Sequence, residues 1–235
     1  MILAIDSSSL VASVALVNET SVVAEYTINL KKTHSQTLLP MIDEIFKMTG
    51  LDNKEIKAIA ITKGPGSFTG LRIGAATAKG LALALGLDII SIPTIDAMAY
   101  NYNHCNKLIC PIMDARRHQV YTGIYRCDGI QLETIMCQCA ISVEELIVKI
   151  NDLNEEVVLV GDGIPVFFDE IDKNTNVKCY AAKQHLGRQR AGTIGAMAWD
   201  KYNKGETVSA DAFAPEYLRM SQAERERMEN DKKDE

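Results

Sequence analysis

A chain of 235 residues, 47% of them apolar, can bury a proper core as one large domain or as two lobes of about 100 residues each. Its formal net charge of −6 offers no basic face for gripping nucleic acid unaided. Six cysteines without a C-x-x-C pair, and a first strand with no basic n-region or cleavage site ahead of it, lead us to expect a reduced, cytoplasmic protein. The longest apolar stretch, residues 71–87, carries Arg72 and Lys79 and is too short for a membrane span.

MILAIDSSS opens with a buried strand that ends at Asp6 and runs into three serines. ASVALVN (12–18) and VVAEYTI (22–28) read as strands joined by a hairpin turn at Asn18-Glu19-Thr20. A helix is expected from Thr33, whose T-x-x-Q spacing to Gln36 suits a capping box. Pro40 lies inside it, so the helix bends there or begins there. AIAIT (58–62) is a short β-branched run and leads into KGPGSFTGLRIG at 63–74. Gly64, Gly66 and Gly70 let the backbone turn tightly, and Ser67 or Thr69 can cap a helix starting near Leu71. Strand, glycine turn and helix N-terminus make an anion-friendly corner. It is neither a P-loop nor a dinucleotide fingerprint, because the last glycine has no Lys-Ser or Lys-Thr after it and the spacing differs. The turn serves either as tight chain reversal or as a phosphate seat. A helix over 70–85 closed by Gly86, a strand at 88–92 and a helix from about Thr94 complete a β-β-β-α-β-α-β-α series.

The series then begins again. LICPIMDA (108–115) ends in Asp114 much as the first strand ends in Asp6, and 118–126 and 130–141 supply two more strands. SVEELIVKIND (142–152) is a helix with Ser142 as cap and Glu145 at its third position. EVVLVGDGI (156–164) is a buried strand ending in a glycine turn; VKCYAA (177–182) and TIGAMAWDKYNKG (193–205) give a strand and a helix. Two such halves predict the two-lobed α/β fold shared by actin, Hsp70 and sugar kinases (the ASKHA fold). The expected division is an N-terminal lobe over 1–101, a C-terminal lobe over 102–220, and a polar tail over 221–235, frayed or disordered.

Five strings in order, LAIDSS (3–8), GPGSFTGLRIG (64–74), MDARRHQVYTGIY (113–125), VGDG (160–163) and PEYLR (215–219), resemble the TsaB family, also called YeaZ, up to about Met220. The resemblance implies a bacterial, cytoplasmic protein of tRNA threonylcarbamoyladenosine (t6A) synthesis, serving tRNAs that read codons starting with A. It implies a paralogue of the transferase TsaD that acts as its dimerisation subunit, with the ATPase TsaE in a ternary complex and tRNA met only through that complex. TsaD transfers the threonylcarbamoyl group from threonylcarbamoyl-AMP to the adenosine.

TsaD-like proteins hold a metal with two histidines at i, i+4 after the fifth strand and a later aspartate. Here the matching positions are Thr94 and Met98, and Arg188-Gln189-Arg190-Ala191-Gly192 has no acid, so the metal ligands are lost. His34, His104, His118 and His185 have no metal-ligand spacing among them, and a site using any of them needs residues brought from elsewhere in the fold. Cys137 and Cys139 share one strand face and are expected to pack. No G-x-S-x-G elbow is present, so no catalytic residue is assigned.

In this superfold a phosphate tail lies between turns that follow the first strand of each lobe. Asp6-Ser7-Ser8-Ser9 and Asp114-Ala115-Arg116-Arg117 stand there. Asp6 can hold Mg²⁺ through water, and Ser7 and Ser8, with Gly64, Gly66 and Ser67 opposite, can approach phosphate oxygens. Side chains at Ser7 and Ser8 crowd a position where nucleotide-binding relatives use glycine. The subunit is therefore expected to need no cofactor, with ATP or ADP and Mg²⁺ belonging to the complex.

The partner surface is expected on two helices. Leu38, Met41, Ile45 and Met48 form one stripe, and Leu39, Ile42 and Phe46 another beside it. Gly70, Gly74, Ala78 and Ala82 recur at i+4 steps, with Ala76, Gly80 and Ala84 in a second row, which permits close helix approach. The expected interface with TsaD, or with a second copy, comprises His34, Leu38, Leu39, Ile42, Phe46, Leu71, Arg72, Gly74, Ala75 and Ala78. The expected function is thus a non-catalytic, activating subunit of the t6A transferase. The alternatives are an ATP-binding small-molecule kinase of the same superfold, against which the Ser7–Ser9 turn counts, and a metalloprotease-like hydrolase, against which Thr94 and Met98 count.

Overall fold

The structure is a computed structural model that describes residues 1–102, 105–127 and 131–219. His104 and the tail at 221–235 lie outside the described residues. The N-terminal half forms a five-stranded sheet from β1 (Ile2–Asp6), β2 (Ala12–Val17), β3 (Val22–Ile28), β4 (Ala58–Gly64) and β5 (Asp88–Pro93), in the order β3-β2-β1-β4-β5. β1, β2 and β3 pair antiparallel, and β4 and β5 join parallel, with Ile2 opposite Ala58. The second half repeats this with β6 (Leu108–Asp114), β7 (Gln119–Cys127), β8 (Leu132–Ser142), β9 (Val157–Val160) and β10 (Cys179–Ala181), in the order β8-β7-β6-β9-β10. Strand directions match as well: β6–β7 and β7–β8 are antiparallel, β6–β9 and β9–β10 parallel.

β1 and β2 are buried along their whole length because both faces of their sheet are covered. Alternation then sorts the side chains. Leu3, Ile5, Val14, Leu16, Ile59 and Ile61 pack under α1 (His34–Thr49) and α2 (Phe68–Leu85). Ile2, Ala4, Ala15, Val17, Ala58 and Ala60 pack on the other face against Ile194, Ala198 and Trp199 of the last helix. The C-terminal sheet holds α4 (Val143–Leu153) and α5 (Ile164–Asn174) on one face, through Leu146, Ile150, Phe167 and Ile171. Its other face receives α3 (Thr94–Tyr100), through Ile95, Met98 and Ala99.

The helix after the fifth strand of each half therefore crosses to the other half's sheet. α3 leaves the N-terminal sheet to cover β6, β7 and β9, and α6 (Ala191–Asn203) returns to cover β1, β2 and β4. Trp199 anchors that return, with its indole N–H donating to Val17 O at 3.1 Å. Tyr125 donates to Asp96 Oδ1 at 2.6 Å, and Asn101 Nδ2 to Arg188 O at 2.9 Å, across the same seam. A cut between residues 101 and 102 divides the sequence but not the core, because each lobe is finished by a helix from the other. The duplicated sheets and exchanged helices are the two-lobed actin/Hsp70/sugar-kinase-like α/β fold.

Several local expectations need correction. Thr33 makes no side-chain cap bond; α1 starts at His34 and runs on through Pro40. α2 starts at Phe68, three residues earlier than expected, because Ser67 Oγ accepts from Gly70 N. The capping box of Ser142 and Glu145 does form. α5 is additional to the expected elements; Gly163, Pro165 and the i, i+4 pair Phe167 and Ile171 mark its start and its buried face. Among the described residues no helix is long and apolar enough to cross a membrane.

Candidate functional site: the cleft between the lobes

The ends of β1, β4 and β6 and the turn after β9 meet at a cleft of about 500 Å³, lined by Ser8, Ser9, His34, Gly66, Asp114 and Asp162 among others. This is where the fold places ligands, at the carboxyl ends of strands between two lobes.

On the N-terminal wall the turn after β1 is sealed. Asp6 is fully buried, and its Oδ1 accepts from Ser8 N and Ser8 Oγ, both at 2.8 Å. Burial pushes its carboxyl up to about 6, against the downward pull of Ser8 and of the nearby Thr62 hydroxyl. Thr62 closes no hydrogen bond within the usual distance, and Asp6 Oδ2 and Thr62 Oγ1 are both buried without a partner. Ser7 and Ser8 are buried too, wedged against the glycine turn. A Cβ at Gly66 would overlap Ser8 O, one at Gly70 would overlap Ser7 O, and one at Gly74 would overlap Ser7 Oγ. Hydrogen bonds fix the contact: Ser67 N donates to Ser8 O at 2.6 Å, and Ser7 Oγ donates to Gly70 O at 2.9 Å. Gly64, at φ 117°, comes equally close to Glu216 O, and Glu216 N donates to Lys63 O at 2.6 Å. The glycines thus admit the protein's own backbone on two sides. The small-residue row that suggested an external helix is explained, over Gly70 and Gly74, by the serine turn.

His34 belongs to the same wall. Its Nε2 donates to Ser9 O at 2.8 Å, since a carbonyl only accepts, and its Nδ1 is buried without a partner. Ser9 Oγ in turn donates to Gln189 Oε1 at 3.0 Å, tying the turn to the segment that enters α6.

The C-terminal wall is open. Asp114 Oδ1 accepts from Arg116 N at 2.7 Å, and its Oδ2 pairs with the exposed Arg116 guanidinium at 3.0 Å. Burial raises the carboxyl of Asp162, with Arg188 opposing and Asp114 adding to the rise; Asp162 Oδ1 has no partner. Lys32, Arg116 and Arg219 share the cleft lining with Asp114, Asp162 and Glu216, so it carries both signs of charge. Residues 215–219 then strap the two walls together. Glu216 pairs with Lys63 at 2.6 Å, Tyr217 stacks on Phe68 at 4.6 Å, and Arg219 donates to Ala115 O and Arg116 O.

The expected partner residues divide sharply. Leu38, Ile42, Leu71, Gly74, Ala75 and Ala78 are buried inside the lobe, as is His34, so these positions serve its own packing. Leu39 is 54% exposed and Phe46 half-buried. Arg72 is exposed, but its guanidinium lies 3.9 Å over the Phe68 ring and its Nε donates to Tyr217 Oη at 3.4 Å. Thr94 and Met98 are completely buried, Met98 within the core beneath α3. The strap was singled out in the sequence only as a matching string; its role rests on contacts spanning about 150 residues, such as Lys63 with Glu216, which no local pattern encodes.

Comparison with known proteins agrees with this geometry. The family described as "TsaD: tRNA N6-adenosine threonylcarbamoyltransferase" matches residues 21–227. The "tRNA threonylcarbamoyladenosine biosynthesis protein TsaB" of Bacillus subtilis (strain 168) is 30% identical over 231 residues, covering 98% of this chain and 99% of its own. That of Escherichia coli (strain K12) is 32% identical, covering 94% and 96%. The solved structure "YeaZ from Pseudomonas aeruginosa" superposes with a TM-score of 0.79 at 25% identity, covering 92% of this chain and 99% of that one. With the duplicated fold, the five matching strings and near-complete coverage in agreement, the chain belongs to the TsaB (YeaZ) family of tRNA threonylcarbamoyladenosine biosynthesis proteins.

Proposed function

We propose that this protein is a non-catalytic, activating subunit of the t6A transferase: it binds TsaD, with TsaE joining, and supports transfer of the threonylcarbamoyl group without contributing a catalytic residue. The observation that carries this reading is the filled glycine cradle. Where a phosphate would need free amides and space, Ser7 and Ser8 occupy both, and Ser67 N is spent on Ser8 O. The positions matching a TsaD-like metal site hold the buried side chains Thr94 and Met98. ATP or ADP and Mg²⁺ then belong to the assembled complex, and the cytoplasm, where tRNA is modified, is the place of action.

The docking face follows from what remains exposed on the helix pair. Leu39 and Phe46 on α1, with Ala76, Gly80 and Leu83 on α2, leave an apolar band in which Leu39 is 54% and Leu83 62% exposed, and a Cβ at Gly80 meets open space. Such a band suits a second helix pair, of TsaD or of another copy of this chain. Depleting the protein should remove t6A from tRNA while threonylcarbamoyl-AMP synthesis continues; unchanged t6A overturns the function. Leu39→Glu and Gly80→Leu should each abolish co-purification with TsaD while leaving the lobe folded. Normal capture by both variants overturns the docking face. Ala75 is unsuitable for this test because it is 6% exposed and its enlargement would disturb the core.

A further inference from the structure

In the C-terminal lobe, next to the turn whose Asp114 and Arg116 line the cleft, three residues far apart in sequence converge: His118 just before β7, Glu144 in the first turn of α4, and Glu170 on α5. We propose that they form a divalent-cation site of the zinc class. His118 Nε2 lies 2.9 Å from Glu170 Oε1 and 3.3 Å from Glu144 Oε1, and the three donor atoms are all within 4.8 Å of one another.

The geometry asks for more than an ion pair. An imidazole Nε2 carries at most one hydrogen, which serves one acceptor well, yet two carboxylates converge on it. Two anions brought to one point repel each other. A divalent cation answers both difficulties by accepting two carboxylate oxygens and the Nε2 lone pair, with the imidazole proton on Nδ1. One nitrogen and two oxygens suit a borderline ion such as Zn²⁺; Ca²⁺ asks for six to eight oxygens.

Further contacts hold the scaffold beneath the three carboxyl and imidazole groups. Val143 N donates to His118 O at 3.3 Å, which ties the turn to the start of α4. The His118 ring meets Phe167 of α5 edge-on, with centroids 5.7 Å apart. The side chains of His118, Glu144 and Glu170 are 48%, 64% and 35% exposed, so a cation enters without unfolding anything. Three protein ligands leave a coordination position facing solvent, for water or a group from a partner.

The test uses the full chain stripped of metal with a chelator, then titrated with Co²⁺ and competed with Zn²⁺. The expected result is saturable uptake of one Co²⁺, with visible d–d bands that Zn²⁺ abolishes and no thiolate charge-transfer band. His118→Ala and Glu170→Gln should each weaken uptake by at least about tenfold, with unchanged far-ultraviolet circular dichroism. Zn²⁺ should raise the melting temperature of the parent protein and of neither variant. No saturable uptake, uptake undiminished in both variants, or a thiolate band pointing to Cys137 and Cys139, would overturn the proposal and leave an exposed ion-pair triad.

Discussion

The turn after β1 and the turn after β6 occupy equivalent places in two sheets of identical strand order, yet they are built in opposite ways. In the first, Asp6, Ser7 and Ser8 are buried, and three glycines of the 64–74 string are spent on receiving them. In the second, Arg116, Arg117 and His118 are exposed, with left-handed backbone at φ 66°, 55° and 57°. Such backbone costs non-glycine residues on the order of 1–2 kcal/mol each. Duplication thus preserved the sheets while one turn became a plug and the other a platform for side chains. A glycine-rich turn after a buried strand is consequently no proof of a phosphate site, because closing the site and opening it both require close backbone approach.

The largest effect should come from breaking the plug. Gly70→Val would drive a side chain into Ser7 O, a backbone atom held from beneath by the Ser7 Oγ–Gly70 O bond. The expected loss is about 3 kcal/mol or more by urea unfolding. Gly80→Ala, on the exposed row of the same helix with open space around it, should instead gain about 0.5–1 kcal/mol from helix propensity alone. Equal effects at the two positions would mean that the serine turn is not sealed.

Asp6→Asn comes next. The Asp6 carboxyl sits at about 6 in the folded protein against 3.8 in the unfolded chain, so the folded state binds the proton more tightly. Its destabilising contribution is absent below about 4, grows as pH rises through 6, and is complete above it, at about 3 kcal/mol for a shift of roughly two units. Asparagine keeps an oxygen for Ser8 N and Ser8 Oγ and removes the buried charge. The variant should therefore unfold at higher urea than the parent at pH 8, with the difference closing as pH falls toward 4. A gap that stayed constant with pH would show that the Asp6 carboxyl binds its proton equally in the folded and unfolded chain, and so is not shifted by burial.

How much of this was legible in the sequence depends on the reach of the interactions. The strands were readable because β-branched runs such as 58–62 declare burial locally, and Ser142 with Glu145 declared a helix start. The duplication was legible because Asp6 and Asp114 close corresponding runs. The helix stripes are legible, but periodicity reveals an apolar face and not what covers it. Leu38 and Ile42 are covered by their own sheet. The serine plug was half visible, in that Ser7 and Ser8 were noted as crowding a phosphate; its partners, the glycines at 66, 70 and 74, lie about 60 residues on. Sequence spacing argues against a metal role for His118, because its acidic neighbours are about 26 and 52 residues away and only the fold brings them together.

Asp114→Asn completes the comparison and should have the smallest effect. Asp114 stands where Asp6 stands in the other lobe, but its side chain is 20% exposed and its ion-pair partner Arg116 is 85% exposed. A pair so open to solvent contributes about 0–1 kcal/mol. Asparagine retains an oxygen able to accept from Arg116 N, so the turn keeps its shape. Removing this carboxylate also relieves Asp162, whose carboxyl burial pushes up and Asp114 pushes further. The two contributions oppose each other, and the net change in urea midpoint should stay within about 1 kcal/mol of the parent. A loss of several kcal/mol, comparable in size to the gain expected at Asp6, would mean that the second turn is as tightly bound into its lobe as the first. The contrast between plug and platform would then fail at its simplest point.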